Sequence, residues 1–223
     1  MKPIRAVLFD LDGTLIDTAP DLAYALNQLR QERYLPELPV SNIRAIANLG
    51  SKAMLKYAFD MEETDPAYPD MRNKFFTLYQ KHIMDSTQLF PNVEKVLTYL
   101  DQHNIPWGIV TNKLTKHART LLSALGLSQR TDCIICGDTL AKSKPDPLPI
   151  THACYMLKQK PSHCLYIGDA ATDVIASKAA GTKSLVALYG YISQNEDPHT
   201  WQADGYVNEP IEIIEWLERY QQP

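Results

Sequence analysis

The stretch AVLFDLDGTLID, Ala6 to Asp17, runs apolar for four residues and then breaks into acid at Asp10 and Asp12, followed at once by Gly13 and Thr14. Near-continuous apolar character over a few residues marks a strand buried on both faces, as in parallel sheets. Side chains two apart on a strand share a face, so Asp10 and Asp12 can address one ligand. Exposure to water accounts for one charge at a strand end. It does not account for two carboxylates aimed the same way.

Working outward, this run (residues 4–10) is joined by PWGIVTN (106–112), CIICGD (133–138), CLYIGD (164–169) and SLVALYG (184–190). Helical patterns such as VEKVLTYLDQHN and KHARTLLSALG lie between them, the second closing on Gly126 as a C-terminal cap. Strands alternating with helices predict an α/β protein with a doubly wound, Rossmann-like parallel sheet. The alternation fails after Asp17, where DLAYALNQLRQERY, SNIRAIA, SKAMLKYAF and MRNKFFTLYQKHIM are all amphipathic helix patterns punctuated by Pro36, Pro39, Pro66 and Pro69. A small all-helical cap inserted after the first strand is expected over residues 17–85, with the catalytic core formed by 1–16 and 86–223 and hinges near 15–18 and 85–91.

Composition narrows the function. The chain has 223 residues, 45% apolar and 22% charged, with a formal net charge of -4 and no Lys/Arg-rich block. Nucleic acid and anionic membrane are therefore poor partners. No apolar stretch approaches the roughly 20 residues of a bilayer span. The start, MKPIRAVLFDLDG, has no small-residue cleavage site, so a cytoplasmic protein is expected. Cys133 and Cys136 form a C-x-x-C, but positions three apart on a strand face opposite ways, and Cys154 and Cys164 stand alone in sequence. Packing is the simpler reading of these thiols.

Four of the five strands carry polar residues at or just beyond their ends: Asp10 and Asp12, then Thr111 and Asn112, then Lys144 in KSKPDP, then Asp169 and Asp173 in GDAATD. Ligands of open parallel sheets bind at the carboxyl ends of strands, and right-handed crossovers bring those ends to one edge. Asp10, Asp12 and Asp169 together would be strongly anionic, and oxygen donors without His or Cys favour Mg²⁺. The cation and Lys144 would keep Asp10 ionised, able to attack phosphorus. Asp12 is placed as general acid and base, while Thr111, Asn112 and Lys144 offer donors and charge to a phosphoryl group. Asp173, one helical turn beyond Asp169, is expected to hold Lys144 or metal-bound water. A calcium loop beginning at Asp10 is excluded because Leu15 stands where the loop needs Gly.

D-L-D-G-T, T-N, K-P-D-P and G-D-x-x-x-D, in that order, resemble the four motifs of the haloacid dehalogenase-like phosphohydrolases, and the resemblance spans the whole chain, insert included. Within the superfamily, DTAPDL, FPNVEKVL, GDTLAKSKPDPLP and GDAATDVIASKAAG are similar to the phosphoglycolate phosphatase branch. The tail YGYISQNEDPHTWQADGYV is similar to that of N-acetylmuramic acid 6-phosphate phosphatases. The resemblance implies Asp10 as nucleophile, Asp12 as acid/base, phosphate held by Thr111, Asn112 and Lys144, and Mg²⁺ held by the Asp10 carboxylate, the Asp12 backbone carbonyl and Asp169. It implies a small phosphorylated metabolite as partner, handled by a monomer or homodimer, with hydrolysis of 2-phosphoglycolate first and the amino-sugar ester second. A sugar-phosphate mutase would keep the same residues. A 2-haloacid dehalogenase lacks the second acid, so Asp12 argues against it, and a binding module would have shed one of Asp10, Asp12, Lys144 or Asp169. Substrate choice is expected from the cap loop ANLGSKAM, with Ser51 and Lys52 facing inward and Arg44 a lesser candidate.

Overall fold

Ala6 to Phe9 are all buried, and their side chains alternate between two apolar layers, Ala6 and Leu8 on one side and Val7 and Phe9 on the other. That segment is β1 (Ala6–Phe9) of a computed structural model that describes residues 3–221. It is followed by β2 (Ile16–Asp17), α1 (Ala19–Gln31), α2 (Val40–Arg44), α3 (Gly50–Phe59), α4 (Tyr68–His82) and β3 (Gln88–Leu89). Then come α5 (Val93–Gln102), β4 (Trp107–Val110), α6 (Thr115–Ala124), β5 (Ile134–Ile135), α7 (Leu148–Met156), β6 (Cys164–Gly168), α8 (Ala171–Ala180), β7 (Lys183–Ala187), β8 (Gly205–Val207) and α9 (Glu212–Gln221).

The main sheet has six strands in the order β5-β4-β1-β6-β7-β8, every neighbouring pair parallel. Numbered within the sheet this is the 3-2-1-4-5-6 order of a doubly wound fold. β1 sits at its centre, with Val7 beside Trp107 on one flank and beside Leu165 on the other.

Three features differ from the sequence reading. The run 133–138 yields only Ile134–Ile135 as strand. β8 has no counterpart in that reading, since three residues among polar neighbours carry no apolar run. Gly205 opens it because a Cβ there would meet Leu185 Cδ2 at 2.7 Å and Trp216 Nε1 at 2.9 Å. The two crossings between core and helical insert also pair with each other, β2 with β3, antiparallel, Ile16 opposite Leu89. Buried Asp21 of α1 ties the same junction, accepting the Ser86 and Thr87 N–H groups at 2.9 Å and the Thr87 hydroxyl at 2.7 Å.

Every regular element between α1 and α4 is a helix. Their apolar faces (Leu26, Leu55, Phe75) merge with the layer of Val7 and Phe9 into one core. The four cysteines are free and buried. Cys133 and Cys136 face opposite layers, and Cys154 and Cys164, apart in sequence, share the layer of Cys133. No helix among the described residues is long and apolar enough to cross a membrane.

Candidate active site

From β1 the chain builds outward through β4 and β5, then returns to the other flank of β1 as β6. That reversal leaves a crevice at the strands' carboxyl ends. A cavity of about 290 Å³ occupies it, lined by Asp10, Asp12, Thr111, Asn112, Lys113 and Lys144 on the core side.

The floor begins with a turn. Leu11 is buried, and its carbonyl accepts the Leu15 and Ile16 N–H groups at 3.0 Å, which leaves the carboxylates on either side of it at the cavity. Gly13 has φ +80°, and a Cβ there would fall 2.0 Å from Asp169 Oδ2. Only glycine lets the loop pass so close to another carboxylate. Asp169 Oδ1 accepts the Thr14 hydroxyl at 2.8 Å, and Oδ2 accepts Asn48 Nδ2 at 2.8 Å and the Tyr191 N–H at 2.7 Å.

The Lys144 ammonium lies 2.9 Å from Asp10 Oδ1 and 2.7 Å from Asp173 Oδ1, and donates to the Tyr166 hydroxyl at 2.7 Å. It approaches Asp10 off the hydrogen-bonding angle, so Asp10 Oδ1 is buried with an ion pair but no hydrogen bond. Burial pushes Asp10 up to about 6 against the pull of Lys144. Burial, then the charges of Asp10 and Asp173, push Asp169 up to about 8. For Lys144 burial acts downward, but Asp10 and Asp173 outweigh it and hold the ammonium above its ordinary value. Lys113 is likewise held charged against burial, chiefly by Asp12, 2.8 Å away. The Thr18 hydroxyl donates to the same Asp12 oxygen.

The outer wall comes from the helices. Asn48, Ser51, Met54, Arg72, Phe76 and Tyr79 line it. His117 of α6 closes the seam: it stacks on Phe76 with centroids 5.2 Å apart, and its Nδ1 is 2.7 Å from Gln80 Oε1. Burial, then Lys113 and Lys116, push His117 down to about 4, so it is neutral at pH 7.

A haloacid dehalogenase-like hydrolase family model matches residues 7–187, four-fifths of the chain, with both ends of the crevice inside the match. The chain belongs to the haloacid dehalogenase-like hydrolases. A phosphoglycolate phosphatase of Xanthomonas campestris is 41% identical over 96% of this hydrolase and 97% of its own length. An N-acetylmuramic acid 6-phosphate phosphatase of Pseudomonas putida is 37% identical over 94% of each chain. The crystal structure of a predicted phosphoglycolate phosphatase from Haemophilus somnus superposes with a TM-score of 0.86 at 26% identity, covering 97% of this chain and 99% of that one.

In this hydrolase Asp10, Asp12, Thr111, Asn112 and Lys144, expected from the sequence, all line one cavity, with Asp169 and Asp173 packed behind it. Asn112 differs in one respect. Rather than pointing donors at a ligand, its Nδ2 donates to the Lys144 carbonyl at 2.9 Å and its Oδ1 accepts the Lys144 N–H at 3.0 Å. The amide thus clamps the loop that carries Lys144. Lys52 also differs. It is the next residue on α3 after Ser51, which turns it about 100° away from the cavity. Its Nζ pairs with Glu63 at 2.6 Å, with the side chain 59% exposed. Arg44 is bound to Asp17, also off the cavity. Ser51 does line the wall.

Arg72, Phe76 and His117 escape the sequence reading. A signal exists: Met71, Phe75 and Tyr79 form a buried stripe four residues apart, and Arg72 and Phe76 lie beside it.

The donor set fits a hard divalent cation. Asp10, Asp169 and Asp173 each bring an oxygen within 4.8 Å of the others, and Asp10 Oδ1 lacks a hydrogen bond. Asp173 is the weakest of the three as a ligand. Its oxygens already accept from Lys144, the Tyr166 hydroxyl at 3.1 Å and the Ala170 N–H at 3.0 Å. Counting Asp12, four carboxylates face two ammonium groups, Lys113 and Lys144. With all four ionised the deficit would be two positive charges, which a divalent cation would match, and the oxygen chemistry suits Mg²⁺.

Proposed function

We propose that this hydrolase is a Mg²⁺-dependent phosphatase of small phosphomonoesters, with 2-phosphoglycolate as the foremost substrate. The observation that carries the reading is the meeting of Asp10, Asp12, Thr111 and Lys144, from three remote segments, around one cavity. At about 290 Å³ it lies at the low end for small-molecule sites, roughly 300–1,000 Å³. Both kinds of named relative act on phosphate esters of hydroxy acids. N-acetylmuramic acid 6-phosphate is the second reading, favoured by the apolar wall of Leu22, Met54, Phe76 and Leu114, which is more than a two-carbon acid would touch.

Asp10 and Asp169, with the Asp12 carbonyl, would hold Mg²⁺, which supplies charge neutralisation of the phosphoryl oxygens. Lys144 and the Thr111 hydroxyl bind that group from the core side. The Asp10 carboxylate attacks phosphorus and the bond from phosphorus to the alcohol oxygen breaks. Asp12, which has taken up a proton with the incoming phosphate dianion, passes that proton to the departing alkoxide. Asp12 then takes a proton from water as the water oxygen attacks the phospho-Asp10. The acyl-phosphate P–O bond breaks, phosphate leaves and the Asp10 carboxylate is restored. Asp173 and Tyr166 fix Lys144 throughout. The helical segment 17–85 covers the cavity during these steps and excludes bulk water.

Phosphate release from 2-phosphoglycolate, N-acetylmuramic acid 6-phosphate and p-nitrophenyl phosphate, ranked by kcat/KM, tests this. Activity should vanish with EDTA and return with Mg²⁺. Full activity after chelation would remove the metal from the reading, and transfer of phosphate without release would make the protein a mutase.

A further inference from the structure

Cations on the core side of the cavity are matched. Lys113 is paired with Asp12 at 2.8 Å, and Lys144 with Asp10 and Asp173 at 2.9 and 2.7 Å. The wall holds another cation, Arg72 of α4, and no acid lies within ion-pairing distance of it among the described residues. Two contacts hold its guanidinium in place. Nε donates to Ser51 Oγ at 3.3 Å, and the guanidinium carbon stands 4.9 Å over the centre of the Phe76 ring, one turn along the same helix. Neither contact uses Nη1 or Nη2, and no described residue accepts from them.

We propose that Arg72 is the receptor for a carboxylate on the leaving group, so that this wall selects phosphate esters of hydroxy acids over esters of neutral alcohols. The assignment rests on the phosphatase reading above and names the residue that sets its substrate class. A planar guanidinium with both Nη groups free matches a carboxylate bidentately, which an ammonium cannot do. Stacking on Phe76 and the tether to Ser51 fix the fork before the ligand arrives, so little side-chain freedom is lost on binding. Met54, Phe76 and Leu114 dry the surroundings, which strengthens a charge pair there. His117, the other basic side chain on the wall, is neutral at pH 7 and does not compete for the anion. The phosphoryl group already has Lys144 and Thr111, so the wall's charge is left for the far end of the ester.

The test uses two esters that differ at the carboxylate, 2-phosphoglycolate and 2-hydroxyethyl phosphate, with wild type, R72K and R72Q in Mg²⁺. Wild type should favour the acid. The ratio of kcat/KM, acid over neutral ester, should fall about 10–100-fold in R72Q, the scale of one charged hydrogen-bonded contact, and less in R72K. An unchanged ratio, with both esters lost equally or neither lost, overturns the assignment. A second measurement needs no variant: glycolate should inhibit wild-type hydrolysis of p-nitrophenyl phosphate, and ethylene glycol at the same concentration should not. Equal inhibition by the two also overturns it. Failure of wild type to release phosphate from any of the three esters would instead bring down the phosphatase reading beneath it.

Discussion

On the floor of the cavity Asp10, Thr111, Lys144, Asp169 and Asp173 are at most 7% exposed, and Lys144, Asp169 and Asp173 are each held by two or more partners. On the wall, Ser51, Arg72 and Phe76 are half-buried, and Arg72 is held by one hydrogen bond and one ring. The floor hangs on strands whose register is locked on both flanks of β1. The wall hangs on helices that share the apolar core with the sheet, and its own polar groups meet the floor at points such as Asn48 to Asp169 and Gln80 to His117. Chemistry that tolerates no misplacement sits where the sheet fixes it. Recognition sits where side chains have room to differ.

The floor should therefore show the largest effects. Asp10→Asn removes the nucleophile and should reduce turnover to background on every ester. Asp12→Asn should cost roughly 10²–10⁴ on alkyl esters, the usual scale of general acid–base catalysis. It should cost less on p-nitrophenyl phosphate, whose leaving group needs no proton. Steady-state kinetics on both substrate types checks this. Residual turnover in Asp10→Asn, or equal losses for good and poor leaving groups in Asp12→Asn, would mean the floor's roles are assigned to the wrong carboxylates.

The same contrast governs what the sequence reveals. Floor residues follow apolar runs directly, Asp10 after Phe9 and Thr111 after Val110, so their spacing to a strand end is local information. The doubly wound parallel architecture then follows from strand and helix alternation. Wall residues depend on how α4 docks, which is decided by the distant partners of Met71, Phe75 and Tyr79. Read alone, MRNKFF places Arg72 no differently from Lys74, yet Lys74 pairs with Asp70 at the surface. Lys52 misleads for the same reason: one position along a helix exchanges cavity for solvent. β2, β3 and β8, two or three residues each, are strands only because a partner lies beside them.

His117 joins floor to wall, and its effect should be intermediate. Folding lowers it from about 6.5 to about 4, because it is buried and faces Lys113 and Lys116. Between those values the unfolded chain binds a proton that the folded chain refuses, so stability falls as pH drops through this window. Each tenfold difference in proton affinity is worth about 1.4 kcal/mol, which at pH 5 amounts to about 1–2 kcal/mol. Urea unfolding at pH 7 and pH 5 should show a smaller pH loss in His117→Gln than in wild type. Identical losses would mean that carboxylates alone carry the acid sensitivity and that the seam is looser than its stacking suggests.

Lys52→Ala should show the smallest effect, and it sharpens the comparison most. Lys52 shares α3 and its loop with Ser51, and charge alone makes it a candidate for gripping an acid. Its Nζ is committed to Glu63, its side chain is 59% exposed, and Glu63 holds its ammonium above the ordinary value. Exposed pairs of this kind contribute little to stability and are screened by salt. Lys52→Ala should leave kcat/KM for 2-phosphoglycolate within about twofold, whereas R72Q should not, because only the arginine presents donors to the cavity. A tenfold, acid-selective loss in Lys52→Ala would show that α3 turns as the helices close over the substrate, bringing Lys52 inward at the expense of Glu63. The wall that reads the substrate would then be one that exists only in the closed state.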